Sequence, residues 1–479
     1  MRNLVLVVAT VAAGVWAGPA LANSSAIDAA PSAREVQSSV DAYLATSKAD
    51  ASLVGGPGQA GYDGGFWIRG GSFLMKINLT LQTRWEGFDW NDSVAEPSPG
   101  GDLSGFSLPR ATLKFSGDAT CSMHYYAELE FGHHGSISDV ASNRDAIAHG
   151  IGLRVPDQRQ EIGYQGPSLI PGQFLNNGGA GSDFGILREG WIEYETCPQL
   201  AVRMGLVKTA ATRQLMTPPE MQQFVDISMA SAFIGQMMPG YTDRNRDYGV
   251  AFHGGLGCDG EWSYLLTVTN GDGPVHRNVI DGRTSDDFAY SARLNWDIKG
   301  HMGYEEGALR QTECGWVAAA GAWIHYYTDA ARHRAFFKLA DRMTYGVDLA
   351  FGYGGWSFTG AYSMTNWDNS GPTGAKLFEG SSWLAQLGYL FPNSAWEIAA
   401  KYDMYLLNPQ STTTDISATE YGAVINYYID GHANKLSLDA SMITVDGSDI
   451  NLFADEYTGY NATGLSDAVL VRFQWQLAL

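Results

Sequence analysis

The chain has 479 residues and a formal net charge of −21, with 17% charged and 12% aromatic residues. This acid excess argues against a nucleic-acid partner, because phosphate backbones are bound by basic surfaces. Beyond the N-terminus, no segment approaches the roughly 18 to 20 continuous apolar residues that a membrane-spanning helix needs. The 57 glycines and the many aromatic residues suit a large β-structure, either a barrel or a secreted sandwich or propeller.

Residues 1–22 have the three parts of a secretory signal peptide. Arg2 gives a positive start, residues 4–18 form an uncharged apolar run, and Ala20 and Ala22 make a small-x-small cleavage site. An anchoring helix is the weaker alternative, because the run is short and ends in a Gly-Pro pair. The sequence therefore predicts an exported protein.

The next segment, residues 23–70, is rich in alanine and serine and shows one weakly amphipathic stretch at residues 33–51. We expect a periplasmic N-terminal tail with a possible short helix. The regular pattern begins only afterwards, so the main domain is predicted to cover residues 71–479.

From Phe73 onward, apolar and polar residues alternate, with Ile77 on one face and Asn78 on the other. This period of two is typical of β-strands, and a polar face bearing charges at nearly every step suits a water-filled lumen. The pattern recurs sixteen times, an even number as bacterial barrels require. The predicted strand centres are Leu79, Leu113, Leu129, Ile192, Val202, Val250, Leu266, Leu294, Ala322, Val347, Thr359, Leu387, Ala400, Val424, Leu438 and Phe473.

The predicted connections alternate between short and long. This asymmetry is typical of outer-membrane barrels, which have short periplasmic turns and long external loops, and it places both termini on the periplasmic side. The short connections are residues 117–120, 197–199, 354–355, 392–394 and 431–433. The long ones are residues 89–105, 132–185, 210–245 and 446–466.

All four cysteines fall at the ends of short turns in this topology. Antiparallel pairing would bring Cys121 and Cys197 together at the periplasmic rim, which predicts one disulfide. A second, between Cys258 and Cys314, rests on the same placement. Four free thiols are the alternative. The spacing contains no CxxC pair, so a zinc site is not expected.

Signals for catalysis are weak. Glu128 and Glu130, like Glu193 and Glu195, place two carboxylates on one strand face. In an enzyme they would act as an acid/base pair, whereas in a channel they form an acidic stripe in the lumen. We expect the channel, with no enzymatic activity, cofactor or metal. Acidic residues of the long loops could bind divalent ions that bridge lipopolysaccharide.

Several segments together resemble the phosphate- and polyphosphate-selective (O and P type) porins of Gram-negative outer membranes. The likeness spans residues 71–479, and the order and spacing of its pieces carry it. The pieces are residues 106–117 (FSLPRATLKFSG), 203–209 (RMGLVKT), 246–250 (RDYGV), 269–273 (TNGDG) and 427–436 (YYIDGHANKL).

The resemblance implies an all-β fold, a sixteen-stranded antiparallel transmembrane β-barrel that forms a homotrimer in the cell outer membrane. It also implies that the third long loop, residues 210–245, folds inward as a constriction. Basic residues lining the wall would bind anions there. The candidates are Arg84, Arg110, Lys114, Arg203, Lys208 and Arg213, with Lys76, Arg293, Lys401, Lys435 and Arg472 elsewhere on inward faces.

The sequence departs from the family pattern in its predicted lumen, which also carries many acids. A ring of like charge selects its counter-ion, so a mixed lumen predicts weak selectivity. The expected function is passive diffusion of small hydrophilic solutes, anions such as phosphate among them, across a lipid bilayer. The alternative from another class is a secreted, soluble β-rich carbohydrate-binding protein or hydrolase.

Overall fold

The structure is a computed structural model. It describes residues 58–90, 102–131, 187–237, 245–257, 260–271, 288–309, 315–327, 340–369, 376–409, 415–446 and 467–479. The predicted signal peptide, the possible helix at residues 33–51, Cys258, Cys314 and most of the long connections lie outside the described residues.

The chain divides into two compact units. The smaller comprises Met1–Ala60 and Arg69–Gly71, and the larger comprises Gly61–Ile68 and Ser72–Leu479. Two short strands, β1 (Gln59–Tyr62) and β2 (Phe66–Gly70), fall in the region for which the sequence predicted only a tail.

Sixteen long antiparallel strands form the barrel, and every predicted strand centre lies within one of them. The barrel is closed because the last strand pairs with the first, with Arg472 opposite Glu86. The strands are β3 (Phe73–Trp90), β4 (Asp102–Thr120), β5 (Met123–Glu130), β6 (Leu187–Cys197), β7 (Leu200–Lys208), β8 (Arg246–Leu256), β9 (Trp262–Thr269), β10 (Ala289–Lys299), β11 (Trp316–Tyr327), β12 (Ala340–Tyr353), β13 (Trp356–Asn369), β14 (Lys376–Leu390), β15 (Trp396–Pro409), β16 (Ile416–Asp430), β17 (Asn434–Asp446) and β18 (Asp467–Ala478).

The barrel carries apolar side chains on its outer face and polar ones on its inner face, the reverse of the arrangement in a soluble protein. On β18, Trp475 points outward and is 55% exposed, while the neighbouring inward residue Gln474 is buried. Ile192 and Val347 are likewise apolar and exposed on the outside. Apolar side chains on the outer face and polar ones within suit a bilayer, where lipid surrounds the barrel. A soluble β-protein would pack such apolar faces against each other, so the soluble alternative is wrong.

Aromatic side chains cluster on the outer face near the short-turn ends of the strands. Trp262 at the start of β9 stacks on Trp296 near the end of β10, with ring centroids 5.1 Å apart. Trp396 at the start of β15 lies 4.7 Å from Tyr427 near the end of β16. Such rings suit the headgroup layer, because they are apolar bodies with a polar edge.

The orientation of β11 was ambiguous in the sequence, because Trp316 and Trp323 fall on opposite faces. In the structure Trp316 is on the outside, and Trp323 is buried on the inside. The cross-strand partner of Trp323 is Gly346. A Cβ atom at Gly346 would lie only 3.0 Å from Trp323 Nε1, so a glycine here gives the indole its space.

Between β7 and β8, residues 209–237 form a segment with two helices, α1 (Arg213–Met216) and α2 (Met229–Met237). A 3₁₀ turn, Pro219–Met221, separates them. We call residues 209–237 the inward segment. Within the described residues, no helix combines the length and apolar character required to cross a membrane.

Candidate functional site: the barrel interior

The inward segment crosses the interior of the barrel. The main-chain N–H of Ala210 donates to Ser291 Oγ on β10 at 2.9 Å, and that of Ala230 donates to Asp403 on β15 at 2.9 Å. Since β15 lies eight positions from β7 around the sixteen strands, it is on the opposite wall. The segment that the resemblance assigned to a constriction therefore bridges the lumen.

Carboxylates on the wall accept hydrogen bonds from the main chain of this segment. Met229 N and Ala230 N, at the start of α2, donate to Glu420 and Asp403 at 3.1 and 2.9 Å. The first N–H groups of a helix have no partner within it, and buried ones must find one elsewhere. Both acids therefore hold the helix in place, and their carboxylates face the inward segment.

The segment is also held by an apolar contact inside the barrel. Phe233 on α2 stacks on Tyr405 of β15, with parallel rings 4.4 Å apart. Leu215, Ile234 and Trp323 belong to the same buried cluster. An apolar core within a polar lumen gives the segment a fixed position, since close packing resists small displacements.

Three arginines from adjacent strands converge on one carboxylate of the inward segment. Asp226 lies 2.8 Å from Arg84 of β3, 2.8 Å from Arg110 of β4 and 3.2 Å from Arg472 of β18. Arg472 also donates to both oxygens of Asp439, each at 2.8 Å. Charge-assisted hydrogen bonds are strong and directional. Asp226 therefore binds the inward segment to the wall formed by β18, β3 and β4.

Three of the six predicted anion-binding residues are thus buried in protein contacts. Arg84 and Arg110 bind Asp226, as described above. Arg213, on α1, donates from its guanidinium to the main-chain oxygen of Gly303, and burial lowers its pKa although the nearby Asp348 charge opposes this. Their guanidinium groups bind the protein itself.

The other three predicted residues are partly exposed. Lys114 on β4 forms an ion pair with Glu220 of the inward segment. Arg203 on β7 lies 2.7 Å from Glu193 and covers one face of Trp191. Lys208 is half-buried and donates to a main-chain oxygen of the inward segment at 3.3 Å.

These residues form a partly exposed strip between the inward segment and strands β4–β8. The exposed fractions are 15% for Lys114 and for Glu220, 21% for Arg203 and 28% for His253, which lies 2.8 Å from Glu193. Inward residues on β15–β18, such as Lys401 and Arg472, are almost completely buried. Among the described inward side chains, water reaches mainly the β4–β8 side.

Glu220 lies on the inward segment, outside the spanning strands. Burial alone would raise the pKa of its carboxyl group, but the charge of Lys114 and a hydrogen bond from it lower the pKa overall. The pair is therefore charged at neutral pH, with one group of each sign facing the strip.

The remaining inward basic residues are buried in ion pairs or main-chain contacts, except Lys76, which is exposed. Arg293 makes two bonds to Asp348, at 2.7 and 2.8 Å. The facing residue Gly321 permits this pair, because a Cβ there would overlap the guanidinium. Lys401 lies 2.8 Å from Glu420, and Lys435 donates to the main chain of the inward segment.

The carboxylate pairs noted in the sequence form ion pairs with basic side chains. Glu128 and Glu130 lie 3.0 and 3.6 Å from Arg188, and Glu193 binds Arg203 and His253. These contacts favour charge balance in the wall over acid/base chemistry. In the part of the chain that the structure describes, no group of three or more His, Cys, Asp or Glu side chains could hold a metal ion.

The expected Cys121–Cys197 disulfide is absent, and both residues are exposed free thiols. They do lie at the same rim, since Glu195 N donates to Ser122 O at 2.9 Å. However, β4 extends through the predicted turn at residues 117–120, so Cys121 lies in the turn itself. In the β5–β6 register Met123 pairs with Tyr194, so Cys121 falls opposite Thr196 and not opposite Cys197.

Sequence reasoning missed Asp226 and Glu220, the two acids of the inward segment that bind the wall. These two acids could have been predicted to bind the wall, because the resemblance placed residues 210–245 in the lumen beside basic strand positions. Which acid meets which base depends on contacts across more than a hundred residues, such as the pair between Arg110 and Asp226. Strand periodicity carries no information on those contacts.

Comparison with protein-family models gives no match, and comparison with curated proteins gives none. Among solved structures, the chain is similar to the anion-selective porin from Comamonas acidovorans, with a TM-score of 0.51 and 11% identity over 85% of this chain and 99% of that chain. It is also similar to Salmonella typhi OmpF in complex with daunomycin (TM-score 0.49, 10% identity, 88% and 100% covered). A third is Pseudomonas putida OprB at high pH (0.48, 9%, 85% and 94%). The chain thus has a closed sixteen-stranded barrel with a fold similar to that of the anion-selective porin.

Proposed function

We propose that this protein is a porin for the passive diffusion of small hydrophilic solutes, with a weak preference for small anions such as phosphate. The observation that carries the proposal is the partly exposed strip of charged pairs along β4–β8, inside a barrel whose outer face is apolar. A charged, hydrated strip within a lipid-facing wall offers polar solutes a route that lipid does not.

The mechanism is electrostatic. A hydrated anion entering the strip loses part of its water shell, and Lys114 and Arg203 offset some of that desolvation. Glu220 and Glu193 are bonded to these cations and weaken their hold on a solute. Conduction requires binding that is favourable enough for entry and weak enough for release, which paired charges supply.

The charges of the strip support a small preference for anions. Its basic side chains are Lys114, Arg203 and Lys208, and its acidic ones are Glu193 and Glu220, whereas the more exposed acids Asp118 and Glu195 lie at the short-turn rim and are counted outside the strip. A difference of one charge gives weak selectivity rather than a specific site. Phosphate is proposed only as one permeating anion, since the arginines that could grip it in a bidentate manner, Arg84 and Arg110, bind Asp226 instead.

A homotrimer and contact with lipopolysaccharide belong to the same proposal. The trimer is supported only by the resemblance to trimeric porins in the sequence. Chemical cross-linking of the purified protein in detergent tests it: ladders that stop at three subunits support the trimer, and a monomer at all cross-linker concentrations overturns it.

Swelling of proteoliposomes tests the proposed function. Vesicles with the purified full chain are diluted into isosmotic solutions of a small neutral sugar or of a small organic anion of similar size. We expect fast swelling with both solutes and somewhat faster swelling with the anion. Vesicles that swell no faster than protein-free vesicles would overturn the porin function, and exclusion of the anion would overturn the preference.

A further inference from the structure

Two inward aromatic side chains stay partly exposed beside the strip. Tyr126 on β5 and Trp191 on β6 are cross-strand partners, and their rings are nearly parallel with centroids 5.5 Å apart. Both side chains are half-buried. Inward rings elsewhere, such as Trp323 and Tyr405, belong to the buried cluster around the inward segment. Tyr126 and Trp191 lie outside that cluster, so part of their ring surface faces the lumen.

The polar edges of both rings are bound to the wall. Tyr126 Oη donates to Glu128 at 2.8 Å, and Trp191 Nε1 donates to Glu189 at 3.0 Å. Each of these carboxylates is in turn bound by an arginine of the wall, at 3.0 and 3.1 Å. The donor of each ring is therefore used within the wall, and a solute in the lumen meets apolar ring surface. Such surface beside a few fixed charges is typical of ligand sites.

A guanidinium group extends this stack of rings. Arg203 on β7 lies over Trp191, with Cζ 3.7 Å from the ring centroid. Its Nε and Nη2 both bind Glu193, at 2.8 and 2.7 Å, so the group is held at one edge and on one face. The side chain is nevertheless 21% exposed. Because a guanidinium is flat and stacks on aromatic rings, its free surface offers a stacking position that carries a positive charge.

The wall beside Trp191 has two successive positions without a side chain. Trp191 pairs with Gly205 on β7, and Gly205 pairs with Gly249 on β8. Both glycines are partly exposed, and glycine within a strand often marks a place where a ligand approaches the backbone closely. Gly205 and Gly249 form the floor of a recess, and Arg203, two residues before Gly205, forms its side.

A second cation lies at the other end of the recess. Lys208 is on β7, three residues after Gly205, and is half-buried. Its ammonium group donates to Met216 O at 3.3 Å, and it forms no ion pair with a described residue. Strict alternation would place Lys208 and Arg203 on opposite faces of β7. Gly205, with φ of +142°, interrupts the alternation, so both cations face the interior.

We propose that this recess binds organic anions that carry a planar ring, of which an aromatic monocarboxylate is the simplest. The ring stacks on the free face of Arg203 above Gly205 and Gly249, and the carboxylate accepts hydrogen bonds from Lys208. The inference rests on the proposed porin function and names the class of anion that the strip retains best.

Reduction of the KCl current in planar bilayers tests the site. Sodium benzoate, sodium acetate and benzamide are added in turn to the wild type at neutral pH. Benzoate has a ring and a charge, acetate has only the charge, and benzamide has only the ring. We expect benzoate to halve the current at a concentration about tenfold lower than the other two, because one stacked ring contributes that much. Equal effects of benzoate and acetate, or of benzoate and benzamide, overturn the proposal.

Two variants test the stacked groups separately. Trp191→Leu removes the ring beneath Arg203, whereas Arg203→Lys keeps the charge and loses the flat group. Each should raise the half-effect concentration of benzoate by about tenfold and leave that of acetate unchanged. Trp296→Leu is the matched control, because it removes one ring of a stacked pair on the outer face. Folded Trp191→Leu and Arg203→Lys that respond to benzoate as the wild type does contradict the assignment.

A chemical readout on the wild type covers variants that do not fold, as judged by loss of heat-modifiable mobility on gels. Phenylglyoxal modifies exposed guanidinium groups, and mass spectrometry separates Arg203 from Arg69, which is exposed on β2. Benzoate should slow the modification of Arg203 more than acetate does and should leave Arg69 unaffected. Equal rates at Arg203 with the two anions overturn the ring site.

The outcomes separate the two proposals. If the wild type forms no pores, the porin function is wrong, and protection of Arg203 still decides whether the recess binds ring-bearing anions. If the wild type conducts while benzoate and acetate act alike, the porin function stands and the ring site is wrong.

Discussion

Arg110 donates from Nη2 to Oδ1 of Asp226 at 2.8 Å, so an arginine expected to bind solute binds the inward segment instead. Arg84 on β3 and Arg472 on β18 reach the same carboxylate. One acid therefore neutralises part of a basic patch that would otherwise dominate the field in the lumen. Under the proposed function, this balance between wall arginines and segment acids contributes to the potential that a solute meets in the lumen.

Replacing Asp226 with asparagine should make the pore more anion-selective. The change leaves three guanidinium groups facing a neutral amide, so the positive potential of the β18–β4 wall rises. Breaking a buried charge pair by removing one partner also destabilises by about 3–5 kcal/mol, so the barrel should lose its compact form at a lower temperature. The measurements are the reversal potential in a KCl gradient and heat-dependent gel mobility. Asp118→Asn, at the exposed rim, is the control, and an equal effect there would contradict the assignment.

Lys114 and Glu220 should shift selectivity in opposite directions. Lys114→Gln removes a positive charge from the strip and should reduce the anion preference, whereas Glu220→Gln should increase it. Both variants break the same ion pair, so a purely structural effect would shift the reversal potential of both variants in the same direction. Bilayer reversal potentials distinguish the two cases.

Arg293 should matter for stability and not for selectivity. It is fully buried in a bidentate pair with Asp348. Arg293→Ala removes the guanidinium that pairs with that acid and should destabilise by about 3–5 kcal/mol. The double variant Arg293→Ala/Asp348→Ala should recover part of this loss, as coupled neighbours do. Urea denaturation in detergent gives the stabilities. A large change in reversal potential for the double variant would show that the pair faces the pathway.

Phe233→Ala should loosen the inward segment. The ring stacks on Tyr405 inside the buried cluster, and removal of a buried phenylalanine side chain typically destabilises by about 3–5 kcal/mol. We expect noisier open-channel current and faster proteolysis between α1 and α2, with the barrel intact. Trp475→Ala, on the lipid-facing surface, is the control. Unchanged noise and proteolysis in Phe233→Ala would mean that the polar contacts alone fix the segment.

The contribution of Glu220 to the selectivity should be nearly independent of pH between about pH 7 and about pH 5. The pKa of Glu220 lies below the usual value of 4.5, because the charge and hydrogen bond of Lys114 outweigh the effect of burial. A depressed pKa contributes stability that is present above the ordinary value and is lost only as pH falls through the lower, folded-state value. The reversal potential should therefore change below about pH 4.5. The measurement is the difference in reversal potential between the wild type and Glu220→Gln, in which changes at the side chains common to both cancel, and a difference that has already vanished at about pH 5 would contradict this.

The positions of the strands could be predicted from the sequence, because the alternation of polar and apolar residues is a local property. Residues of β18 such as Arg472 and Trp475 reveal their faces from their neighbours alone. The interior was less predictable. The capping of α2 by Asp403 and Glu420 joins residues about 170 to 190 positions apart. The sequence therefore shows which charged residues face the lumen, but it does not show which residues they pair with.

The reversal potential of the wild-type protein in a planar bilayer under a KCl gradient tests the central claim most directly. A charge-balanced strip with one excess cation predicts stable pores and a small potential of anion-selective sign. A large potential of cation-selective sign, or a complete absence of pores from correctly folded protein, would contradict it.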